Sequence, residues 1–389
     1  MNCCPSIAIS KIVQCVARYN TDILCLCYSY NRPTCYNIIG SLFGGCMDKE
    51  FELLRQLPFF QDIPREELES SSLLWSLRDL KAGEHLWWQG QPPEEFAFLC
   101  SGRLTVHIAD EDIAEITVDE MLGEAAVFTG EPRSASISAI EDSTLLSLSM
   151  SHLETLRGTH PSIYELILNR CLQRMSTRVQ EMGLEIARLG KGSNKAPTRK
   201  QESTIERWWK RLTGSKNKIP PSAETALRKL PKLKEASKDV IIQIMSAMIP
   251  HSVEQGEPIF LQGDPGDSVF LLAGGGVNVV RNVRGGNAEV LATLYSGALF
   301  GTGSLLLRER RNASCVADAS SECWVYEMNL EAHRSLKGEA SLLWKESLIA
   351  ALAFQIRNAA QQIIALKVGT PTETDYDKLQ VGLEGFQGK

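Results

Sequence analysis

The run Gly123-Glu124-Ala125-Ala126, closed after a short loop by Pro132-Arg133-Ser134-Ala135-Ser136, is the stretch of this 389-residue chain best equipped for chemistry. Gly123 lets backbone come close to a ligand. Glu124 to Phe128 has the length of one helical turn whose free N–H groups face an anion. Pro132 fixes the approach to Arg133, and a guanidinium fork suits paired hydrogen bonds to a phosphate. Glu124 is placed to accept hydrogen bonds from sugar hydroxyls. One acid and one arginine, with no nucleophile or metal ligand beside them, describe a nucleotide monophosphate pocket rather than a catalytic centre.

A second stretch repeats the frame with changed chemistry: Gly301-Thr302-Gly303, then Arg311-Asn312-Ala313-Ser314. The two belong to a longer repeat. Leu54-Arg55-Gln56-Leu57-Pro58 returns 173 residues later as Leu227-Arg228-Lys229-Leu230-Pro231, and at that offset Gly83, Gly90 and Gly102 meet Gly256, Gly263 and Gly275. The offset becomes 178 at Gly123 and Gly301, and it holds for Arg133 and Arg311; a longer loop between Arg281 and Glu289 accounts for the step. Glycines in register over such a length mark a duplicated domain, too long and too few-fold for a solenoid.

Each copy must hold its stretch on short strands between glycine turns, the pattern of a small antiparallel barrel or sandwich. Strands are expected over Glu94 to Leu99 and Leu104 to Ile108, and over Ser268 to Leu272 and Val277 to Val280. A helix closes each copy. From Pro161 the apolar positions Leu168, Leu172, Met175, Val179, Met182, Ile186 and Leu189 follow a 4-3 spacing, repeated as Leu352, Ile356, Ala359, Ile363 and Leu366 at an offset of 184. Such a stripe packs on its own barrel or forms a coiled-coil seam. The seam reading gives a homodimer through helix 161–189, or pairing between the two copies.

Gly-Glu-x-Ala followed by Pro-Arg-Ser-Ala-Ser resembles the phosphate-binding cassette of cyclic-nucleotide-binding domains, the family of kinase regulatory subunits, nucleotide-gated channels and catabolite activator proteins. The resemblance extends over 51–182 and 224–366. It implies a mainly β fold with flanking helices (α+β): two tandem double-stranded β-helix, jelly-roll-like domains, each followed by a long helix. By that resemblance Glu124 binds the ribose 2′-OH and Arg133 the cyclic phosphate. The amides of Gly123 and Ala125 bind the phosphate oxygens, with Ala126, Ser134 and Ala135 completing the site. Ser134, where the family often has Ala in cyclic AMP receptors and Thr in cyclic GMP receptors, favours cyclic AMP, because Ser also occurs there in bacterial cyclic AMP receptors. Thr177 and Arg178 on the closing helix are candidate base contacts from position alone.

In the second copy Gly301, Gly303, Arg311 and Asn312 keep the frame, but Thr302 stands where the family has Glu. A lost charged hydrogen bond costs about 1.5–3 kcal/mol, so weak or absent nucleotide binding is expected there. Arg310-Arg311-Asn312-Ala313-Ser314 also resembles a basic kinase-site motif, but its register with Arg133 favours the cassette.

Composition bounds the rest. A net charge of −6 and 43% hydrophobic residues fit a soluble cytoplasmic protein, and no apolar run reaches the ~18 residues of a membrane span. Seven of eleven cysteines lie at or before Cys46 without a C-x-x-C pair, so no zinc site is expected. Residues 1–46 read as a Cys-rich extension foreign to the rest, with Met47 the expected initiator. The division expected is 1–46, first domain 47–190, basic linker 191–222, second domain 223–368 and tail 369–389. The linker's Ser203-Thr204-Ile205-Glu206 is a capping box leading into Trp208 and Trp209 on one helical face. Those tryptophans either dock on an anionic membrane or partner, or pack on a β-roll.

Kinase and Walker motifs are missing, no Ser/His/Asp or Cys/His grouping suggests itself, and roughly twenty residues after Leu366 leave no room for a helix-turn-helix. An enzyme is not expected, nor a cofactor or metal. The expected function is a cyclic-nucleotide receptor acting on a separate effector protein. The alternative is an interaction protein whose rolls bind no nucleotide.

Overall fold

The computed structural model describes residues 49–108, 111–189, 194–195, 219–282, 287–318 and 322–368. The expectations for 1–46, for Trp208 and Trp209 and for the tail fall outside the described residues.

A helix over 49–56, α1, and α2 (Arg65–Ser71) lead into β1 (Ser76–Leu80), β2 (His85–Trp87), β3 (Glu95–Ser101), β4 (Leu104–Ile108), β5 (Glu111–Ile116) and β6 (Met121–Leu122). The cassette helix α3 (Glu124–Thr129), β7 (Ser136–Ala139), β8 (Ser143–Ser149), α4 (Met150–Thr159) and α5 (Pro161–Leu189) complete the first copy. A short strand β9 (Asn194–Lys195) and helices α6 (Ala223–Leu227) and α7 (Lys238–Ser246) precede the second set. That set is β10 (Ile249–Val253), β11 (Pro258–Phe260), β12 (Ser268–Gly274), β13 (Gly276–Asn282), β14 (Asn287–Tyr295), β15 (Leu299–Phe300), α8 (Thr302–Leu307), β16 (Ser314–Ala317) and β17 (Cys323–Asn329). Helices α9 (Leu330–Ser335) and α10 (Gly338–Val368) close it.

Both copies fold alike. The first forms antiparallel sheets β1-β8-β3-β6 and β2-β7-β4-β5; the second forms β10-β17-β12-β15 and β11-β16-β13-β14, with β9 added at the edge. The expected jelly-roll architecture is therefore present twice, in the same strand order. The longer second hairpin is β13 with β14, where the repeat offset changes.

The inner strands explain why their sequences read as unbroken apolar runs. Along β3, Ala97 and Leu99 face the roll interior while Phe96 and Phe98 face the helices. Along β12, Phe270 and Leu272 face inward and Val269 and Leu271 face the helices. A strand covered on both faces loses its polar alternation. Gly102 and Gly275 each turn at positive φ, and a Cβ on either would strike backbone of the facing loop.

The helix stripe finds its partner inside the chain. Leu168, Leu172, Met175 and Ile186 of α5 are buried, as are Leu348, Ile349 and Leu352 of α10, and one apolar cluster runs through both copies. The helices begin side by side: Tyr164 donates its hydroxyl to Glu346 (2.9 Å), Arg157 reaches Glu339 (2.6 Å), and Lys345 pairs with Glu165. The stripe thus pairs the two copies, the second of the two readings its spacing allowed, and it no longer argues for a homodimer through helix 161–189. No helix among the described residues is long and apolar enough to cross a membrane.

Beneath α10, the Trp344 indole N–H donates to Nδ1 of His333 (3.2 Å), both buried. Burial, then Lys345 and Arg334, push the His333 imidazole down to about 4 from 6.5. A folded pKa below the unfolded one gives stability that is present above about 6.5 and lost as pH falls toward about 4. Urea unfolding at pH 7.5 and pH 5 should show the parent losing roughly 2 kcal/mol more than a His333→Asn variant, whose amide oxygen still accepts from Trp344. Parallel losses would show that His333 does not titrate in that window.

Candidate functional site

The cassette of the first copy is organised around a buried guanidinium. Arg133 is 5% exposed and lies over the Trp87 ring, 3.8 Å from its centroid. Its Nη1 donates to the Gly123 carbonyl (3.0 Å), its Nη2 donates to the Glu95 carbonyl, and its Nε is buried with no acceptor. A cation taken out of water and left with an unused donor is costly unless an anion arrives. Backbone carbonyls and a π face hold Arg133 in place without neutralising it.

Gly123 makes that placement feasible. It caps α3 at φ 81, and a Cβ there would strike Arg133 Nη1 and come within 2.8 Å of Trp87. Ala125 and Ala126 ride on the first turn of α3, half-buried, as does Ala135 beyond the loop, whereas Ser134 is exposed.

Glu124 turns away from Arg133 to the closing helix. Its Oε1 lies 3.6 Å from Nε of Arg174, which also donates to Glu120 (3.2 Å). Burial pushes the Glu124 carboxyl up, against the pull of Arg174, Arg178 and Arg133. Sequence reasoning named Thr177 and Arg178 from this helix; both are exposed, and Arg178 is within electrostatic reach of Glu124. It missed Arg174, one turn earlier, and Trp87. A basic residue at i−4 from Arg178 on the same face was the available signal for Arg174. Nothing in the sequence singled out Trp87 among the buried aromatics.

The second cassette keeps the cradle and changes the charge. Arg311 is 3% exposed, 4.2 Å from the centroid of Phe260, which occupies the position of Trp87. Its Nη1 donates to the Gly301 carbonyl (2.9 Å), and its Nη2 donates to the Ser268 hydroxyl (3.1 Å) at the position of Glu95. Thr302 is buried with its hydroxyl unpartnered, Gly303 lies against the α5 backbone at Ser176, and Asn312 is half-buried beside Arg311. At the offset of the closing helices, Asn358 stands where Arg174 does. The carboxylate and its helix partner have therefore been lost together.

The helices that cover the cassettes are exchanged. α8 packs on α5, and Gln180 of α5 donates to Glu309 in the second cassette's loop (2.7 Å). α10 packs on α3, where Arg357 pairs with Glu131 in the first cassette's loop.

Comparison with known proteins adds four matches. The family model described as the cyclic nucleotide-binding domain matches residues 77–160 and 250–337, one match in each roll. A cyclic nucleotide-gated potassium channel of Rhizobium etli is 30% identical over 131 residues, 32% of this chain and 35% of the channel. The cyclic AMP receptor protein of Thermus thermophilus is 47% identical over 68 residues, 18% of this chain and 32% of that protein. The chain spans about a third of the length of the first curated relatives it matches. A solved structure of the regulatory domain of Toxoplasma gondii PKA with cAMP is 16% identical and covers 76% of this chain and 94% of that one. Its TM-score is 0.28.

Two glycines flanking α3 separate backbone strain from site contact. Gly130 has φ 73 with open space around it, whereas Gly123 adds the Arg133 and Trp87 contacts. Gly130→Ala should cost about 1–2 kcal/mol of unfolding free energy, and Gly123→Ala about 1–3 kcal/mol more. Equal losses in urea titrations would mean that Arg133 is not packed on Gly123.

Proposed function

We propose, from the match of residues 77–160 and 250–337 to the cyclic nucleotide-binding domain model, that this chain is a cyclic-nucleotide receptor whose first roll carries the working site. Arg133 takes the cyclic phosphate, Glu124 the ribose 2′-OH, and the amides of Gly123 and Ala125 the phosphate oxygens. Ala126, Ser134 and Ala135 line the same cassette. The observation that carries this reading is the buried, cradled Arg133 whose Nε has no acceptor. A cyclic monophosphate brings the single charge it lacks.

Cyclic AMP is the preferred ligand over cyclic GMP, on the strength of Ser134. No covalent step is involved, and the chain acts as a regulator of a separate effector protein. The route outward starts at Glu124. Ribose hydroxyls that engage its carboxylate compete with Arg174, which sits on α5. Freeing Arg174 changes what holds α5 against the first cassette, and α5 also packs against the second. The second roll, with Thr302 and Asn358, lacks the ribose acceptor and takes cyclic nucleotide weakly or not at all, although Gly301, Gly303, Arg311 and Asn312 keep its frame.

Calorimetric titration of the full chain with cyclic AMP and cyclic GMP tests this. One site per chain is expected, with cyclic AMP bound more tightly. Arg133→Ala should weaken it by about 2–5 kcal/mol, roughly 30- to 4000-fold. Glu124→Ala should cost less, because it removes bonds to neutral hydroxyls and leaves the phosphate paired. With the second roll empty, Arg311→Ala should leave that affinity within roughly twofold, because Arg311 makes no contact in the first cassette. No binding of either nucleotide at millimolar concentration would overturn the receptor reading, and two sites of equal affinity would overturn the asymmetry.

A further inference from the structure

The second roll holds a buried cation that the first lacks. Arg281 occupies the position of Ile108 in the repeat. On β13 it continues the set Val277 and Val279, which packs on the roll's inner cluster; the register irregularity beyond Val279 places the extra residue on β14, so the β13 alternation is kept. Arg281 is 5% exposed, forms no ion pair with any described residue, and its Nη1 meets no acceptor. Arg311 lies over Phe260 and Phe270 of the same inner cluster; Asp267, Glu327 and Asp264 are within electrostatic reach, but none of them forms an ion pair with it, and its Nε is unused.

A face of α5 closes over these groups. Ser176, Gln180 and Gly183 fall at the 4-3 spacing that shares one side of a helix. Ser176 lies against Gly303 of α8, Gln180 reaches Glu309, and a Cβ on Gly183 would come within 2.6 Å of Arg281 Nη1. Glycine inside a long helix is unfavourable by itself; here it makes room for the guanidinium. The Ser176 and Thr302 hydroxyls are also buried without partners.

We propose that the second roll is a site for a small phosphate-bearing anion of charge two or more, held between Arg281 and Arg311, and not a failed cyclic-nucleotide site. Neither guanidinium forms an ion pair with a described residue, and two buried cations are best matched by an anion of more than one negative charge. A cyclic monophosphate supplies one, and its ribose would find Thr302 in place of an acid. The unpartnered Thr302 and Ser176 hydroxyls, each donor and acceptor, suit terminal phosphate oxygens. This rests on the reading that each roll binds ligand on its cassette face.

Inorganic pyrophosphate is the probe, titrated into the full chain at neutral pH alongside cyclic AMP. One pyrophosphate per chain is expected, weakened at least roughly 30-fold in Arg281→Gln and in Arg311→Ala and unchanged in Arg133→Ala. Arg281→Gln removes an unpaired buried charge, so this variant should fold at least as stably as the parent without added anion. Pyrophosphate should raise the parent's Tm and leave the variant's unmoved. No pyrophosphate binding at millimolar concentration, or binding indifferent to Arg281→Gln, overturns the proposal. Cyclic AMP binding that survives such a result sinks this inference alone. Pyrophosphate binding without cyclic AMP binding would instead remove the receptor reading of Glu124 and Arg133 and leave this one standing.

Discussion

The packing of α5 on α10 is the constraint to which everything else in the chain answers. Each roll has a small inner cluster of its own, but the largest apolar cluster is assembled from both copies around these two helices. Trp344, Leu348, Ile349 and Leu352 of α10 and Ile163, Ile167, Leu168 and Leu172 of α5 are each at most 1% exposed. Full burial of such side chains contributes about 1.5–3 kcal/mol apiece, so pulling the copies apart would cost an amount comparable with a domain's usual margin of stability. The rolls therefore share one core, and the polar contacts of Tyr164 with Glu346 and Lys345 with Glu165 fix where along their length the helices meet.

Sharing a core makes the helices common property of the two cassettes. α5 shows Arg174 to Glu124 of its own copy, and Ser176, Gln180 and Gly183 to the other. α10 reaches back to the first cassette through Arg357 and Glu131. Arg174 is one of the groups that hold α5 against the first cassette, and a rigid helix that shifts when such a hold is released carries both of its faces with it. Any ligand that displaces Arg174 therefore changes a surface that the second roll also uses, and typical couplings of this kind are 1–3 kcal/mol.

Local signals in the chain survived translation into three dimensions well. Glycines at positive φ are dictated by turn sterics, so Gly102 and Gly275, and Gly123 and Gly301, announced the duplication and the cassette together. The heptad stripe was legible as a seam, but its partner was not, because hydrophobic spacing says only that a face is covered. A homodimer and an internal pair leave the same pattern. Trp87 and Arg174 escaped notice because their partners lie 46 and 50 residues away in the chain, and no spacing rule spans that distance. Strand ends were off by a residue or two, where ladders fray. Arg281 was hidden for a further reason. It sits next to the longer hairpin, where the repeat loses register, and it was noted only as a loop boundary.

Arg281 also changes how Thr302 is understood. Read alone, replacement of the acid by Thr looks like decay of a binding site. Decay of one partner should leave the other behind, and a basic residue at the position of Arg174 facing an uncharged Thr302 would be an unpaired cation near the core. Asn358 stands there instead, so the acid and its helix partner left as a unit. Arg311 nonetheless kept its stacking surface, its carbonyl and its Ser268 hydroxyl, the parts that hold a cation ready for an anion. Arg281 then brings a second buried positive charge to the same inner face, with a glycine in α5 to accommodate it. A site drifting toward silence has no reason to accumulate buried charge, because each such group weakens the fold until something negative joins it. In the first roll Glu124 pairs with Arg174, whereas in the second neither Arg281 nor Arg311 forms an ion pair with a described residue.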